Sequence, residues 1–515
     1  MFTSYRRISW LVVILAALTM LPFLGATEFF TKGEPREAIV AVSMVDDGNW
    51  ILPQNTGGDI AYKPPLLHWC VAALYTVTGT VNEYLARVPS AVAFILLVWL
   101  TFRFFSRHGG VRRGLLAALL TLTAFEVHRA GNTCRVDMLL TLFIVWALYL
   151  LYNWHGRGCR GVPLGAVLCM SLGTLTKGPV AIVLPLFVTG CWLLWHRERR
   201  VTTWLKLACL PLLAMVLPAL WYWAAYQQGG DQFLSLMLEE NVGRFLGKMS
   251  YGSHEHSFLY NFLTLLTGWA PWTLLLPVLM AVALKRRKRR AGKSKEDERV
   301  ALSEFHSGQQ KGTGGLPARV KALLLHPDAS AKSWAWLAFG LILLFYCIPS
   351  SKRSTYLLPC YPFMAYLLAD VWVRVMRGPW RRRGRRWMVR TLVAVIAVFM
   401  VADGIVVPMT VKKKYDRPLA EYIQRTFPHD DLYSFVNVEY LHFFCTNFYL
   451  RDRLRQFGKA HPKKGVLMVV KKDVDAFKKQ YGDRYVLQKV SQSSRRMTER
   501  KDTVCFYRFT QRSRM

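Results

Sequence analysis

The sequence predicts an α-helical protein that crosses a membrane many times and carries a small α/β domain near its C-terminal end. Three observations predict this class. Of 515 residues, 53% are hydrophobic and 18 are Trp, which is more apolar surface than one soluble core encloses. The apolar residues fall in runs close to the length that spans a bilayer core of about 30 Å. The net charge of +36 sits in short blocks between those runs: Arg6 and Arg7, then residues 103–113, 157–160, 197–200, 285–290 and 377–386. In a soluble chain such a charge would suggest nucleic acid. Spaced between apolar runs it reads as cytoplasmic loops, so nucleic acid is not an expected partner and membrane lipids are.

The first run, Ile8 to Leu24, follows two arginines as a signal peptide would, but it lacks a small-residue cleavage pattern and further spans follow. It reads as an uncleaved transmembrane helix with a cytoplasmic N-terminus. Further runs lie near 66–80, 86–105, 113–132, 138–154, 162–175, 179–195, 203–225, 261–284, 333–348, 355–375 and 388–408. All charge blocks fall on one side only if 66–80 makes no net crossing, or crosses together with an unseen partner. The expected total is therefore odd, 11 or 13. The loops at 25–65, near 133–137, at 226–260 and near 350–354 then share the external side with everything after about 409.

Two segments differ from this bundle. Residues 285–331 open with KRRKRR and contain GQQKGTGG, which suits a flexible cytoplasmic linker near anionic lipid or simply a topogenic stop signal. With 1–410 as the transmembrane domain, 411–515 mixes helix-like runs (Asp416 to Phe427, Val474 to Tyr481) with β-rich ones (Val466 to Val470, Thr503 to Phe509). A small external α/β domain fits. The ten cysteines include no CxxC pair, and most lie in apolar runs as small hydrophobes. Cys445 and Cys505 are candidates for a disulfide if their region faces an oxidising compartment.

The first external loop concentrates chemistry-bearing residues. Pro35 to Val45 has helical periodicity, with Ile39, Val40, Ser43 and Met44 placed to face the membrane surface and Glu34, Arg36 and Glu37 gathered at the start. Such a helix is expected to lie in the interface. Acids at a helix N-terminus are also stabilised by its dipole without any catalytic role. Lys63, between Tyr62 and Pro64 at the mouth of the next helix, carries a costly charge unless a phosphate or carboxylate meets it or it snorkels to the headgroups. Asp137 opens another apolar helix at its external end. Lys177, Arg244, Lys352 and Arg353 add cations near external helix ends. His254, Glu255 and His256 form a triplet that could hold a metal in an extended loop, although a substrate contact from His256 or Glu255 is the preferred reading.

The order of these motifs carries a resemblance. KGEPREAIVAVSMVDDGNW, ILP and YKPP are followed by NEYLARVPSA (82–91), RVDMLLTLF (135–143), LTKGP (175–179), EENVGRFLG (239–247) and SSKRSTYLLPCYP (350–362). The series resembles the protein O-mannosyltransferase and aminoarabinose transferase superfamily, with its GT-C fold, over residues 8–410. The bacterial aminoarabinose transferases that modify lipid A look closest, with 13 helices and a C-terminal periplasmic domain. The resemblance implies transfer of a sugar, with inversion, from a polyprenyl-phosphate (undecaprenyl) donor at the outer face of a bacterial inner membrane. The acceptor would be a lipid A-like lipid, another glycan or a protein, and no divalent metal is implied for the chemistry.

That chemistry needs a base for the acceptor and cations for the donor phosphate. The family generally has Asp-Glu where this chain has Gly33-Glu34. Glu34 matches the second acid and is the candidate base, with Glu37 one turn away as a substitute. Lys63 matches the lysine that contacts the donor phosphate. Arg36 matches a family arginine for the same phosphate, its bland role being a pair with Glu37 or Asp46. Asp137 is expected to organise the site by pairing with a base such as Lys63. Lys352, Tyr356 and Arg244 fit donor contacts, and Tyr62, Glu240, His256 and Arg353 are candidate substrate contacts. Two other functions compete. A lipid flippase would also carry a lipid phosphate, but no internal repeat is visible and the charged motifs gather at one face. The glycine at 33 keeps a catalytically silent homologue in view.

Overall fold

In a computed structural model, residues 2–243, 256–277, 281, 330–376, 380–437, 443–493 and 503–512 are described. The chain is a multi-pass helical membrane protein. Among the described residues six helices are long and apolar enough to cross a bilayer: Tyr5–Phe23, Glu83–Gly109, Val136–Gly156, Val201–Asn241, Ser354–Val375 and Arg382–Lys414. Shorter apolar helices stand beside them.

The helices are α1 (Phe2–Met20), α2 (Gly33–Asp46), α3 (Leu66–Thr78), α4 (Glu83–Gly109), α5 (Val111–Leu122), α6 (Phe125–Gly131), α7 (Val136–Gly156), α8 (Leu164–Lys177), α9 (Val180–Trp195), α10 (Val201–Leu238), α11 (Leu259–Gly268), α12 (Ala331–Cys347), α13 (Tyr361–Val375) and α14 (Trp380–Val401). Their boundaries follow local chemistry. Asn82 caps α4 by accepting from the Leu85 amide, which satisfies one of the orphan donors of a helix start. The apolar run at 113–132, expected as one span, is two helices separated at Thr123 and Ala124. α3 has 13 residues, about 20 Å at 1.5 Å per residue, and is too short for the bilayer core. α10 breaks at Gly230, whose φ of 52° lies in the left-handed region that glycine tolerates. Most of residues 285–331, the expected linker, lies outside the described residues.

One continuous apolar core joins α1, α4, α5, α7, α12 and α13. It also takes in α2, which corrects the expectation that Ile39, Val40, Ser43 and Met44 face the membrane surface. From Glu37 to Met44 every residue of α2 is buried, because α2 is packed against α3 on one side and the C-terminal region on the other. Its apolar residues face protein on both sides rather than lipid.

The C-terminal region folds as a five-stranded sheet with helices. Its strands follow the hairpin β1 (Gln54–Asn55) and β2 (Asp59–Ile60) of the first loop, and are β3 (Leu432–Phe435), β4 (Leu454–Gln456), β5 (Lys464–Val470), β6 (Tyr485–Gln492) and β7 (Val504–Gln511) in the order β4-β3-β5-β7-β6. The first three are parallel and the β5-β7-β6 part is antiparallel. Buried Val466, Met468 and Val470 alternate with Leu467 and Val469 on opposite faces of β5, as the two-residue period of a strand buried on both faces requires. Cys445 and Cys505 are both buried free thiols.

The sheet domain rests on the first loop and the start of α4. Phe448 meets Phe29 edge-on at 4.8 Å. Arg417 pairs with Glu83 at 3.0 Å, and the Tyr449 hydroxyl donates to Glu83 while accepting from the Phe29 amide.

Candidate functional site

The site forms where α2, the YKPP turn, the start of α7, the end of α8 and the turn after α12 converge. Glu37 is at its centre. One of its carboxylate oxygens accepts from Lys63 Nζ at 2.6 Å and from Arg36 Nη2 at 3.2 Å, and the other lies 3.0 Å from His68 Nε2. Burial alone would raise this carboxyl, but Lys63, the His68 hydrogen bond and Arg36 hold it well below the usual carboxylate range. Lys63 is lowered to about 8 by burial and by the neighbouring Arg36 charge, against the pull of Glu37. Pro64 and Pro65 fix the turn that aims Lys63 inward, and Pro65 stands at the start of α3.

A second carboxylate faces this cluster. Asp137, in the first turn of α7, accepts from Lys177 at 2.6 Å and lies 3.3 Å from Arg135. Lys177 is the last residue of α8, where the helix dipole favours a cation, and its ammonium stands 4.5 Å over the Tyr356 ring. Tyr62 donates to Glu240 at 3.0 Å.

These groups line one cavity of about 630 Å³. Among the described residues its wall carries five cations (Arg36, Lys63, Arg135, Lys177, Arg353) and three carboxylates (Glu37, Asp137, Glu240). The lining also includes apolar residues, among them Leu140, Val180, Val183 and Phe345. Such a space suits an amphiphile whose anionic head meets surplus positive charge while its tail follows the apolar residues. Among the described residues no cluster of three or more His, Cys, Asp or Glu side chains is placed to hold a metal ion.

Comparison with known proteins places this geometry. The sequence pattern of the family described as dolichyl-phosphate-mannose-protein mannosyltransferase matches residues 62–223. An undecaprenyl phosphate-alpha-4-amino-4-deoxy-L-arabinose arabinosyl transferase from Shewanella sediminis is 27% identical over 68% of this chain and 57% of its own length. The corresponding protein of Pseudomonas savastanoi is 27% identical over 78% of this chain and 67% of its own. An uncharacterised protein of Aquifex aeolicus is 24% identical over 70% of this chain and 63% of its own. The chain thus spans about six-tenths of the length of these relatives. Among solved structures, ArnT from Cupriavidus metallidurans bound to undecaprenyl phosphate superposes with a TM-score of 0.68 at 17% identity, covering 96% of this chain and 97% of that one. The chain shares the GT-C fold of that ArnT structure.

Within this GT-C bundle the expected site residues divide into two groups. Arg36, Glu37, Tyr62, Lys63, Asp137, Glu240, Arg353 and Tyr356 meet around the cavity. Glu34 is elsewhere. It is 4% exposed and is held by Arg87 Nε at 2.8 Å, Arg87 Nη2 at 3.2 Å and the Cys134 amide at 3.0 Å. Arg87 also donates to the carbonyls of Leu24 and Thr27. With three donors on its carboxylate and solvent nearly excluded, Glu34 ties the first loop to α4 and does not line the cavity. Lys352 is also turned away, donating to the carbonyls of His256 and Pro349, while the adjacent Arg353 takes the cavity wall. The His256 ring stacks on Tyr260 at 4.0 Å and is absent from the wall. Arg244, His254 and Glu255 lie outside the described residues.

The expected Asp137 to Lys63 pair is replaced by two separate pairs. Lys177, brought in by the end of α8, takes Asp137, and Glu37 takes Lys63. Arg36 pairs with Glu37, whereas Asp46 pairs with Arg451 of the sheet domain. Three participants escaped the sequence reading. Arg87 and Arg135 lie inside the quoted motifs NEYLARVPSA and RVDM. His68, five residues after Lys63, carried no signal beyond its presence in an apolar helix. Gly33 has a defined surrounding: a Cβ there would stand 3.1 Å from Arg135 Nη1. Position 33 therefore adjoins a guanidinium that here turns to Asp137.

Proposed function

We propose that this protein transfers a sugar from a polyprenyl-phosphate donor to an acceptor hydroxyl or phosphate, with inversion, at the external face of a bacterial inner membrane. The N-terminus is then cytoplasmic and the sheet domain periplasmic. The observation that carries this reading is one cavity lined by both a surplus of cations and apolar side chains. Lys63 and Arg36 would hold the donor phosphate, with Arg353 and the Lys177 and Tyr356 pair flanking it. The first isoprene units would follow Val180, Val183 and Phe345. The Cupriavidus structure, bound to undecaprenyl phosphate, supports the same ligand class.

Glu37 is then the base in place of Glu34. In the resting site its three partners make it a poor base. An arriving phosphate draws Lys63 and Arg36 onto itself, and the loss of both cations raises the basicity of Glu37. The acceptor oxygen attacks the anomeric carbon, the bond to the phosphate oxygen breaks with its electron pair on polyprenyl phosphate, and Glu37 receives the acceptor proton. The test is transfer by purified protein in lipid nanodiscs. Radiolabelled undecaprenyl-phosphate sugars, aminoarabinose among them, are offered with lipid A, other glycolipids and peptides, and wild type is compared with Lys63→Ala and Glu37→Gln. Transfer lost in both variants supports the assignment. Full activity in both sinks it, and no turnover of any donor by wild type favours a transporter or silent homologue.

A further inference from the structure

The C-terminal sheet domain holds one residue that reaches both arms of the loop bearing Glu37 and Lys63. Asp452, just before β4, accepts from the Thr56 backbone amide at 2.9 and 3.0 Å, from Ser43 Oγ at 3.1 Å and from Asn447 Nδ2 at 2.7 Å. Ser43 is on α2, six residues after Glu37. Thr56 is at the tip of the β1-β2 hairpin, seven residues before Lys63. A single carboxylate therefore joins the descending arm of the loop, the ascending arm and the sheet.

The surroundings are built for this contact. Thr56 and Asp452 have φ of 51° and 59°, left-handed values that cost non-glycine residues energy unless the surroundings hold them. The Gln456 amide donates to the Thr56 carbonyl at 3.0 Å, and Gln456 Nε2 reaches Asp59 at 2.5 Å. A Cβ at Gly57 would stand 2.7 Å from Arg455 Cβ, so the hairpin tip approaches the β4 region as closely as glycine allows. Lys459 and Arg451 pair with Asp59 and Asp46 on either side. Burial pushes the Asp452 carboxyl up to about 7 in spite of three sets of donors, so keeping it here costs desolvation that the loop contacts must offset.

We infer that Asp452 is a positioning residue, by which the sheet domain sets the spacing between Glu37 and Lys63 across the two arms of the loop. The inference rests on the donor-binding reading above only for its functional consequence, since the holding of the loop can be measured directly. Another contact of the sheet domain, Arg417 to Glu83 of α4, touches neither arm near Glu37 or Lys63. It is therefore the control for domain docking in general.

The experiment uses the full chain in nanodiscs with undecaprenyl phosphate as probe, and pairs binding affinity with backbone hydrogen exchange. Asp452→Gly removes the carboxylate without penalising the left-handed backbone. It is expected to weaken binding about tenfold and to speed exchange at the end of α2 and across 54–60, with exchange in β5 and β7 unchanged. Asp452→Asn keeps an acceptor for Thr56 and a partner for Ser43, and should bind within threefold of wild type. Arg417→Ala should also bind within threefold. If Asp452→Gly folds poorly, Ser43→Ala removes the α2 contact alone and should loosen the end of α2 but not the hairpin. Unchanged affinity and exchange in Asp452→Gly overturn the inference. So does Asp452→Asn binding as weakly as Asp452→Gly, or Arg417→Ala weakening binding equally. If wild type does not bind the probe, the donor reading falls, and the exchange comparison still decides whether Asp452 holds the loop.

Discussion

Replacing Glu37 with Gln keeps the shape of the side chain and removes the charge that three partners share. At an effective dielectric of 20 and the observed 2.6 Å, the gross attraction between Glu37 and Lys63 is about 6 kcal/mol. Arg36 at 3.2 Å is 45% exposed, so solvent screens its share and less is lost there. Net costs are smaller, because the pair was desolvated to form, and breaking a buried pair costs about 3–5 kcal/mol. That cost falls on the unliganded protein. A donor phosphate supplies the missing negative charge, and Lys63 no longer has to leave a carboxylate to meet it. Undecaprenyl phosphate should therefore bind Glu37→Gln as tightly as wild type or several-fold more tightly. Turnover should move the other way, falling about 10²- to 10⁴-fold if the residue accepts the acceptor proton. The assay is isothermal titration with undecaprenyl phosphate beside steady-state transfer in the same nanodiscs. A kcat within threefold of wild type would refute the base assignment. A parallel fall in affinity and turnover would refute it too, and would make Glu37 a support for Lys63.

Four further outcomes follow from the same contacts. Lys63→Ala should raise the donor dissociation constant about 10- to 150-fold, the worth of one charge-assisted hydrogen bond of about 1.5–3 kcal/mol, read by the same titration. Because Lys63 is lowered to about 8, it is cationic below that pH and neutral above it. Donor affinity should hold at pH 7 and decline as pH rises through about 8, and Lys63→Arg should flatten that decline. Glu34→Gln leaves Arg87 buried without its carboxylate and should cost about 3–5 kcal/mol of stability; a lower thermal midpoint with undiminished turnover per folded molecule is the expected pair of readings. Gly33→Asp places an acid in the first turn of α2 beside Arg135. Helix propensity and the dipole together favour it by about 1 kcal/mol, so a raised midpoint is expected, and a lowered one would mean that Arg135 cannot give way.

Much of the membrane domain was legible because a bilayer imposes length and polarity on every span. α4, α7 and α13 sit where apolar runs predicted them. The two-part helix at 111–131 was not, since the break at Thr123 and Ala124 is set by neighbouring helices and carries no proline or charge. The expected membrane-facing side of α2 failed for a related reason. Its apolar residues Ile39, Val40 and Met44 state that a face must be covered, but not by what, and here the cover comes from a domain some 400 residues away in sequence. The candidate site was readable in residue types more than in partners. Lys63 and Asp137 carried visible signals as charges at helix mouths, yet the exchange of partners with Glu37 and Lys177 depends on where α8 ends against α7. The separation of Glu34 from Glu37 was invisible to spacing. One turn apart on the same helix, they meet Arg87 and Lys63 respectively, and only tertiary structure assigns those cations.

The docking of the β1-β2 hairpin on Gln456 also bears on how the protein is assembled. The hairpin precedes its partner strand by 400 residues, so the loop is synthesised long before the surface it rests on. Until then α2 has one bare apolar side and Thr56 lacks its acceptor. The sheet has the reverse problem, since an exposed edge strand such as β4 invites pairing with other chains, and the waiting hairpin covers that edge. Each half thus covers an exposed part of the other in the folded protein. A chain without the sheet domain would hold Lys63 and Glu37 on a loop that lacks the Asp452 and Gln456 contacts.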